Sequence, residues 1–189
     1  MSEKDMKAIH YETTVAEEEI YSGRVFKVGL RDVVLENGET SKREIVYHNG
    51  GAGILPVDTE GNVYLVRQYR CAFGKEVLEI PAGKLEKGED PFFAAVRELE
   101  EETGFLAEEF HKIGVFYPTP GYCGEVIHLY VAWNLKETQA HPDEGEFLEI
   151  EKIPLDEAVE MVMRDEIPDG KTQTLIMRVA EMKRRGIIR

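Results

Sequence analysis

Apolar and polar positions alternate through residues 19–46, EIYSGRVFKVGLRDVVLENGETSKREIV, and the pattern is broken at Ser22-Gly23 and Asn37-Gly38. Strict alternation with turn residues between the runs predicts three antiparallel strands joined by tight turns. Such a sheet has one apolar face and needs a surface to cover it, from the same chain or a second subunit. Residues 1–47 are therefore read as an N-terminal β extension. Its first 19 residues are polar and acidic, and this start is expected to be frayed.

From residue 48 the pattern changes to mixed β and α. Residues 51–57 and 62–68 read as strands around a turn at 58–61, and 77–80 as a short strand ending at Pro81-Ala82-Gly83. Residues 90–102 read as a helix, with Asp90 as cap, Pro91 at the first helical position and Gly104 as the stop. Residues 106–117 read as loop and strand. Two further β runs follow at 126–133 and 145–153, then helical periods at 155–164 and 172–185. A helix between strands predicts an α+β or three-layer α/β/α domain over residues 48–189. There is no internal repeat and no low-complexity linker.

Charge narrows the function. The chain of 189 residues has 23 Lys and Arg against 37 Asp and Glu, a net −14. That argues against non-specific binding to nucleic acid or anionic membranes. An anionic substrate would need local positive charge from a metal or placed arginines. Two cysteines, Cys71 and Cys123, make neither a disulfide scaffold nor a CxxC metal site, so a reducing, cytoplasmic setting is the default. No apolar stretch resembles a signal peptide or approaches the roughly 20 residues of a membrane span.

The helix at 90–102 carries the candidate chemistry. At about 100° per residue, Glu98, Glu101 and Glu102 fall within roughly 100° of one another, with Phe92, Val96 and Leu99 roughly opposite. The expectation is that the apolar stripe is buried and an acidic face is left. Like charges at i, i+3 and i+4 repel, so such a face calls for a cation, and hard oxygen donors suit Mg²⁺ or Mn²⁺. Arg97 lies beside Glu101 and can orient a carboxylate. A bare EELEEE run, taken alone, is more often a solvated surface.

The spacing around the run changes that balance. Gly83, Glu89, Arg97, Glu98, Glu101, Glu102 and Gly104 stand at the offsets of G-x5-E-x7-R-E-U-x-E-E-x-G-U, with Leu99 and Phe105 in the apolar places. Seven fixed residues at set offsets arise by chance about once in 10⁸ windows or fewer. This segment, residues 83–105, resembles the box of the Nudix hydrolases without departure, and the strand order extends the resemblance over most of residues 48–185. It implies an α/β/α sandwich around a mixed sheet, and hydrolysis of a nucleoside diphosphate linked to another group with divalent cations on the box helix. Glu98 and Glu102 then look like metal ligands, with Glu101 as a third or shared one, the Ala82 carbonyl as a backbone ligand and Arg97 as the orienting group.

Flanking segments resemble the ADP-ribose pyrophosphatase subgroup. Pro120 lies 15 residues beyond Phe105, in YPTPGYCGE with Glu125, although Pro-x-Pro-Gly is also a plain turn signal. Tyr122, 17 beyond the box, equally resembles a marker of dinucleoside polyphosphate hydrolases. Arg43 and Glu44, with Tyr21 or Phe26 as the aromatic, match the extension that pairs subunits and helps hold adenosine. VRQYR and LEIPAG are similar to subgroup strands, which puts Arg70 on phosphate and Glu79 near the nucleoside. The loop HPDEGE matches a Glu-x-Glu that supplies the general base, giving Glu144 as base and Glu146 near the metal. His128 is read as a packing residue rather than a ligand. The reading implied is a Mg²⁺-dependent, homodimeric, cytoplasmic hydrolase converting ADP-ribose to AMP and ribose 5-phosphate. Other nucleoside diphosphate sugars or dinucleoside polyphosphates are the enzymatic alternatives. A non-catalytic ADP-ribose sensor is the remaining one.

Overall fold

The structure is a computed structural model and describes residues 10–142 and 145–188. Contacts divide the chain into two compact units. One holds the chain up to His48 together with Thr119–Glu125; the other holds Asn49–Pro118 and Val126–Arg189.

The first unit is a three-stranded antiparallel sheet in the order β1 (Glu12–Ser22), β2 (Phe26–Leu35), β3 (Thr40–His48). Both expected turns form: Gly38 takes a left-handed φ of 86° and Gly23 donates to the Phe26 carbonyl at 3.0 Å. The expected start of β1 is corrected. Of the acidic start, residues 1–9 lie outside the described residues, while ETTVAEEE is paired with β2 from Glu12 onward. Cross-strand pairs make this possible. Glu19 meets Lys27 at 2.8 Å and Glu17 meets Arg31 at 3.1 Å, so the acidic positions face cations on the next strand.

Thr119–Glu125 joins this sheet through its backbone. Val46 donates to the Tyr122 carbonyl at 2.8 Å, and Gly124 donates to the Val46 carbonyl at 2.9 Å.

The second unit contains two sheets. One runs β10 (Leu148–Pro154), β5 (Asn62–Arg70), β6 (Lys75–Glu79); the other runs β7 (Ala82–Lys84), β4 (Gly51–Pro56), β9 (Ile127–Glu137), β8 (Phe105–Phe116). β4 and β9 pair in parallel and every other pair is antiparallel, so the second sheet is mixed. Every residue of β4 is buried, as a strand covered on both faces requires. Its period of two sends Ala52 and Ile54 to one core and Leu55 to the other. On the first side they meet Ala94, Ala95 and Leu99 of α1 (Pro91–Thr103), with Tyr130 and Ala132 of β9. On the second they meet Leu155 and Ala158 of α2 (Leu155–Met163) and Leu175, Ile176 and Val179 of α3 (Gly170–Arg184). That is the expected α/β/α sandwich around a mixed sheet.

α1 forms as its ends dictate. The Asp90 side chain accepts from the Phe92 amide at 2.8 Å, Pro91 occupies the first turn, and Gly104 closes the helix at φ 68°. Two expectations change. The loop-and-strand at 106–117 is one strand, β8, with a bulge between Lys112 and Gly114. The short strand β7 lies in a segment read only as a strand end; three residues carry too little period to see.

Candidate active site

The helix carrying the carboxylates buries a different face from the one its apolar residues suggested. Ala94, Ala95, Glu98, Leu99, Glu102 and Thr103 are buried, whereas Phe92 is exposed and Val96 only half-buried. Two alanines let α1 lie close on β4, and this turns Glu98 and Glu102 inward onto the backbone of β7. The Glu102 carboxylate accepts the Ala82 amide at 3.0 Å. The Glu98 carboxylate lies directly over Gly83, where any Cβ would overlap its oxygen atoms. The glycine that opens the motif is therefore the floor on which a buried carboxylate rests.

Both carboxyls are pushed up, Glu98 to about 7 and Glu102 to about 8. Burial is the main cause for each, and neighbouring carboxylates add to it: Glu101 and Glu146 for Glu98, Glu98 and Glu146 for Glu102. Arg97 opposes the shift at Glu98, which it meets through Nη1 at 2.8 Å; the same nitrogen reaches Glu101 at 2.7 Å and Nε reaches Glu89 at 3.2 Å. Burial raises Glu89, but hydrogen bonds from Arg97 and the Glu86 amide outweigh it and its pKa falls. One guanidinium thus ties together three carboxylates of the motif.

A second charged cluster stands beside the first. Glu79, only 3% exposed, receives both Nε and Nη2 of Arg70, at 2.6 and 2.7 Å, and also the Lys171 ammonium. Burial raises the Glu79 carboxyl, yet these two cations hold it below its ordinary value. Lys171 also meets Asp169 at 3.0 Å, while Asp169 caps α3 by accepting the Thr172 amide at 2.9 Å. Thr172 Oγ1 in turn accepts the Ile80 amide at 2.8 Å, which fastens α3 to the strand leading into Ala82. Arg70 lies near enough to Glu102 to lower its pKa.

The NUDIX domain model matches residues 47–174, more than half of the chain. The chain belongs to the Nudix family. It is 44% identical over 169 residues to the ADP-ribose pyrophosphatase of Bacillus subtilis (strain 168), covering 88% of this chain and 91% of that protein. It is 47% identical, with the same coverage, to the methanol dehydrogenase activator of Bacillus methanolicus. Its fold is similar to that of a crystal structure of an ADP compounds hydrolase, with a TM-score of 0.83, 23% identity, and 97% of this chain and 100% of that one covered.

Nudix proteins work with divalent cations, and the donors here suit one. Glu98 and Glu102 are buried carboxylates held in mutual repulsion, the condition that a hard cation relieves. Among the described residues no three Asp, Glu, His or Cys side chains converge to enclose an ion. Glu101 turns to Arg97. Glu146 is exposed on the loop before β10, within electrostatic reach of both buried carboxylates; Glu144 lies outside the described residues.

Most of the remaining expected residues of this Nudix protein fall in the first unit, and Glu79 and His128 fall in the second. Arg43, Glu44 and Tyr122 line one concavity of about 880 Å³ with Ile20 and Val28. Arg43 is held by Glu12 and, at 2.8 Å, by Ser41 Oγ. Tyr21 and Phe26 are exposed and touch each other, with ring centroids 5.7 Å apart. Pro120 is exposed, and Glu125 meets His48 at 3.3 Å. Glu79, expected near a nucleoside, is spent on Arg70 and Lys171. His128 packs in β9 with its Nδ1 buried and no partner among the described residues; burial first, then Lys112, lowers its pKa.

Lys171 and Asp169 were missed. A signal existed: a lysine in the first turn of a helix opposes the macrodipole, so its presence there points to a carboxylate partner elsewhere in the fold.

Proposed function

We propose that this protein hydrolyses the pyrophosphate bond of ADP-ribose, with Mg²⁺, to AMP and ribose 5-phosphate. The observation that carries the reading is the pair of buried carboxylates, Glu98 and Glu102, resting on the Ala82-Gly83 backbone of an intact Nudix box. The substrate follows from the likeness to the Bacillus subtilis ADP-ribose pyrophosphatase across 88% of the chain. The concavity lined by Arg43, Glu44 and Tyr122 supports it, since a flat base needs an apolar wall and polar edges.

Glu98, Glu102 and the Ala82 carbonyl are the groups that would hold the cation, with Glu146 and Glu101 completing the set through waters. When bound, a divalent cation neutralises the pyrophosphate and makes an attacking water more acidic. Arg97 keeps Glu98 and Glu101 in place. Arg70, held edge-on by Glu79, presents its outer nitrogen to phosphate. A water oxygen bonds to one phosphorus, the bridging P–O bond breaks, and the water's proton passes to a loop carboxylate, with Glu144 as base and Glu146 beside the metal.

The three-stranded extension serves as the dimer contact in this reading. β1 is exposed along its whole length, with Val15 at 60% and Ile20 at 56%, and a second copy is the natural cover. The two free cysteines agree with a cytoplasmic setting. The test is product analysis with Mg²⁺ and with EDTA on ADP-ribose, other nucleoside diphosphate sugars and diadenosine tetraphosphate. Fastest release of AMP and ribose 5-phosphate from ADP-ribose supports the assignment. A faster competitor overturns the substrate, and binding without turnover overturns the enzyme. Sedimentation at micromolar concentration should show a dimer.

A further inference from the structure

α1 ends against the segment that leads to Glu146. The last carbonyls of a helix have no partner within it. At this end the Glu100 carbonyl accepts the Gly104 amide at 2.8 Å, and the Glu101 carbonyl accepts the His141 amide at 3.0 Å. The Gly104 carbonyl accepts the Thr138 amide at 2.7 Å. Thr138 and His141 are exposed, so the path of this segment is fixed by its backbone bonds rather than by buried side chains.

The segment passes so close that only glycine fits beneath it. Gly104 is buried, and a Cβ there would lie 2.8 Å from the Ala140 amide nitrogen and 3.1 Å from the Thr138 carbonyl oxygen. Both obstacles are backbone, which cannot swing aside as a flexible side chain can. The left-handed φ of 68° is a separate demand. Asn also adopts that conformation, but Asn carries a Cβ.

The anchor lies on the turn that carries the chemistry. Glu101 stands between Glu98 and Glu102, the two buried carboxylates of α1. One rigid element therefore presents both carboxylates by its side chains and holds the segment by its backbone. Glu146 follows His141 by five positions, a reach of at most about 18 Å. On its other side Leu148 is fixed by pairing with Gln68 of β5.

We propose that Gly104 and the Glu101 carbonyl are positioning groups for catalysis: they seat residues 138–141 on the end of α1 and so set the loop carboxylates against Glu98 and Glu102. The inference rests on the hydrolase reading above and deepens it to how the base is placed.

The test combines turnover with NMR amide exchange on the full chain. Turnover uses whichever diphosphate of the panel above the wild type cleaves fastest. Gly104→Asn keeps a residue suited to the left-handed cap but adds a Cβ. His141→Pro removes the amide donor and leaves α1 untouched. Each should lower kcat about tenfold or more, with KM within about threefold. The deficit should narrow from about pH 7 to about pH 9, because hydroxide replaces a misplaced base. His141→Ala retains the amide and should recover most of the kcat lost in His141→Pro. Asp90→Ala weakens α1 at its other end and should leave kcat unchanged. The Thr138 amide should exchange faster in Gly104→Asn and His141→Pro than in the wild type. Wild-type kcat in Gly104→Asn overturns the proposal, as does an equal loss in Asp90→Ala, a loss confined to KM, or a deficit constant with pH. Unchanged Thr138 exchange in Gly104→Asn overturns the seating itself. If Gly104→Asn fails to fold by circular dichroism, His141→Pro against His141→Ala decides, and equal kcat in those two overturns the proposal. Wild-type turnover judges the hydrolase reading by itself: no cleavage of any substrate ends that reading, while Thr138 exchange still judges the seating.

Discussion

Glu98 and Glu102 are residues the fold holds at a cost. Each carboxylate is buried beside others, and for Glu102 the hydrogen bond from the Ala82 amide and the charge of Arg70 offset only part of that burial. Replacing either by Gln removes the charge and keeps the shape. Glu98→Gln and Glu102→Gln should each lower Mg²⁺-dependent hydrolysis by about 10³-fold or more. In EDTA at pH 8 the same variants should melt higher than the wild type, because a buried, poorly compensated charge is gone. A catalytic loss with a lower melting point would mean that the carboxylates hold the fold instead. Gly83 gives a sharper version. Gly83→Ala places a methyl inside the Glu98 carboxylate, so the carboxylate must move. Activity should fall by about 10²-fold, since small misplacements at a reacting centre are that costly. Stability should change by only about 1–3 kcal/mol in a urea titration.

At the scale of the element, α1 is set by its ends and its alanines. Asp90→Ala should cost about 1 kcal/mol through loss of the cap on the Phe92 amide. Gly104→Ala should cost more. Its backbone is left-handed at φ 68°, and a Cβ there would come 2.8 Å from the Ala140 amide nitrogen. Both are read as shifts in the urea midpoint at unchanged slope. The ends of this helix were legible because caps are local chemistry, and Asp90-Pro91 and Gly104 say the same thing in any fold. The buried face was not. Phe92 and Val96 outrank alanine on any hydropathy count, yet Ala94 and Ala95 face β4 because only small side chains allow the approach that brings Glu98 and Glu102 onto β7. β1 was misjudged for a related reason: its glutamates look like a solvated tail until Arg31 stands opposite Glu17 and Lys27 of the same neighbouring strand reaches Glu19.

For the whole molecule the raised carboxyls give a pH signature. Glu98 and Glu102 keep protons in the folded chain, up to pH about 7 and about 8, that the unfolded chain loses near its ordinary value of 4.5. Between those limits the folded state binds more protons, so stability falls as pH rises. Without metal, the melting temperature should therefore decline from about pH 5 to pH 8. Glu79 acts in the opposite sense: its lowered pKa contributes stability above the ordinary carboxylate range that is lost on acidification. Added Mg²⁺ should raise the melting temperature, and more at pH 8 than at pH 6, because the ion competes with protons for the same oxygens. A Mg²⁺ shift independent of pH would remove Glu98 and Glu102 from the ion.

The sequence by itself determined what depends on spacing along one chain. The box from Gly83 to Phe105, the caps of α1 and the hairpin turns of the extension are all written within a few tens of residues. Only the tertiary structure decided what depends on residues far apart. It gave α1 its buried face, drew Arg70 onto Glu79, and brought Lys171, 92 positions from Glu79, to the same carboxylate. The physical reason is range. Local hydrogen bonding and periodicity act over a turn or a strand, whereas a buried charge takes its partner from whichever element packing places beside it.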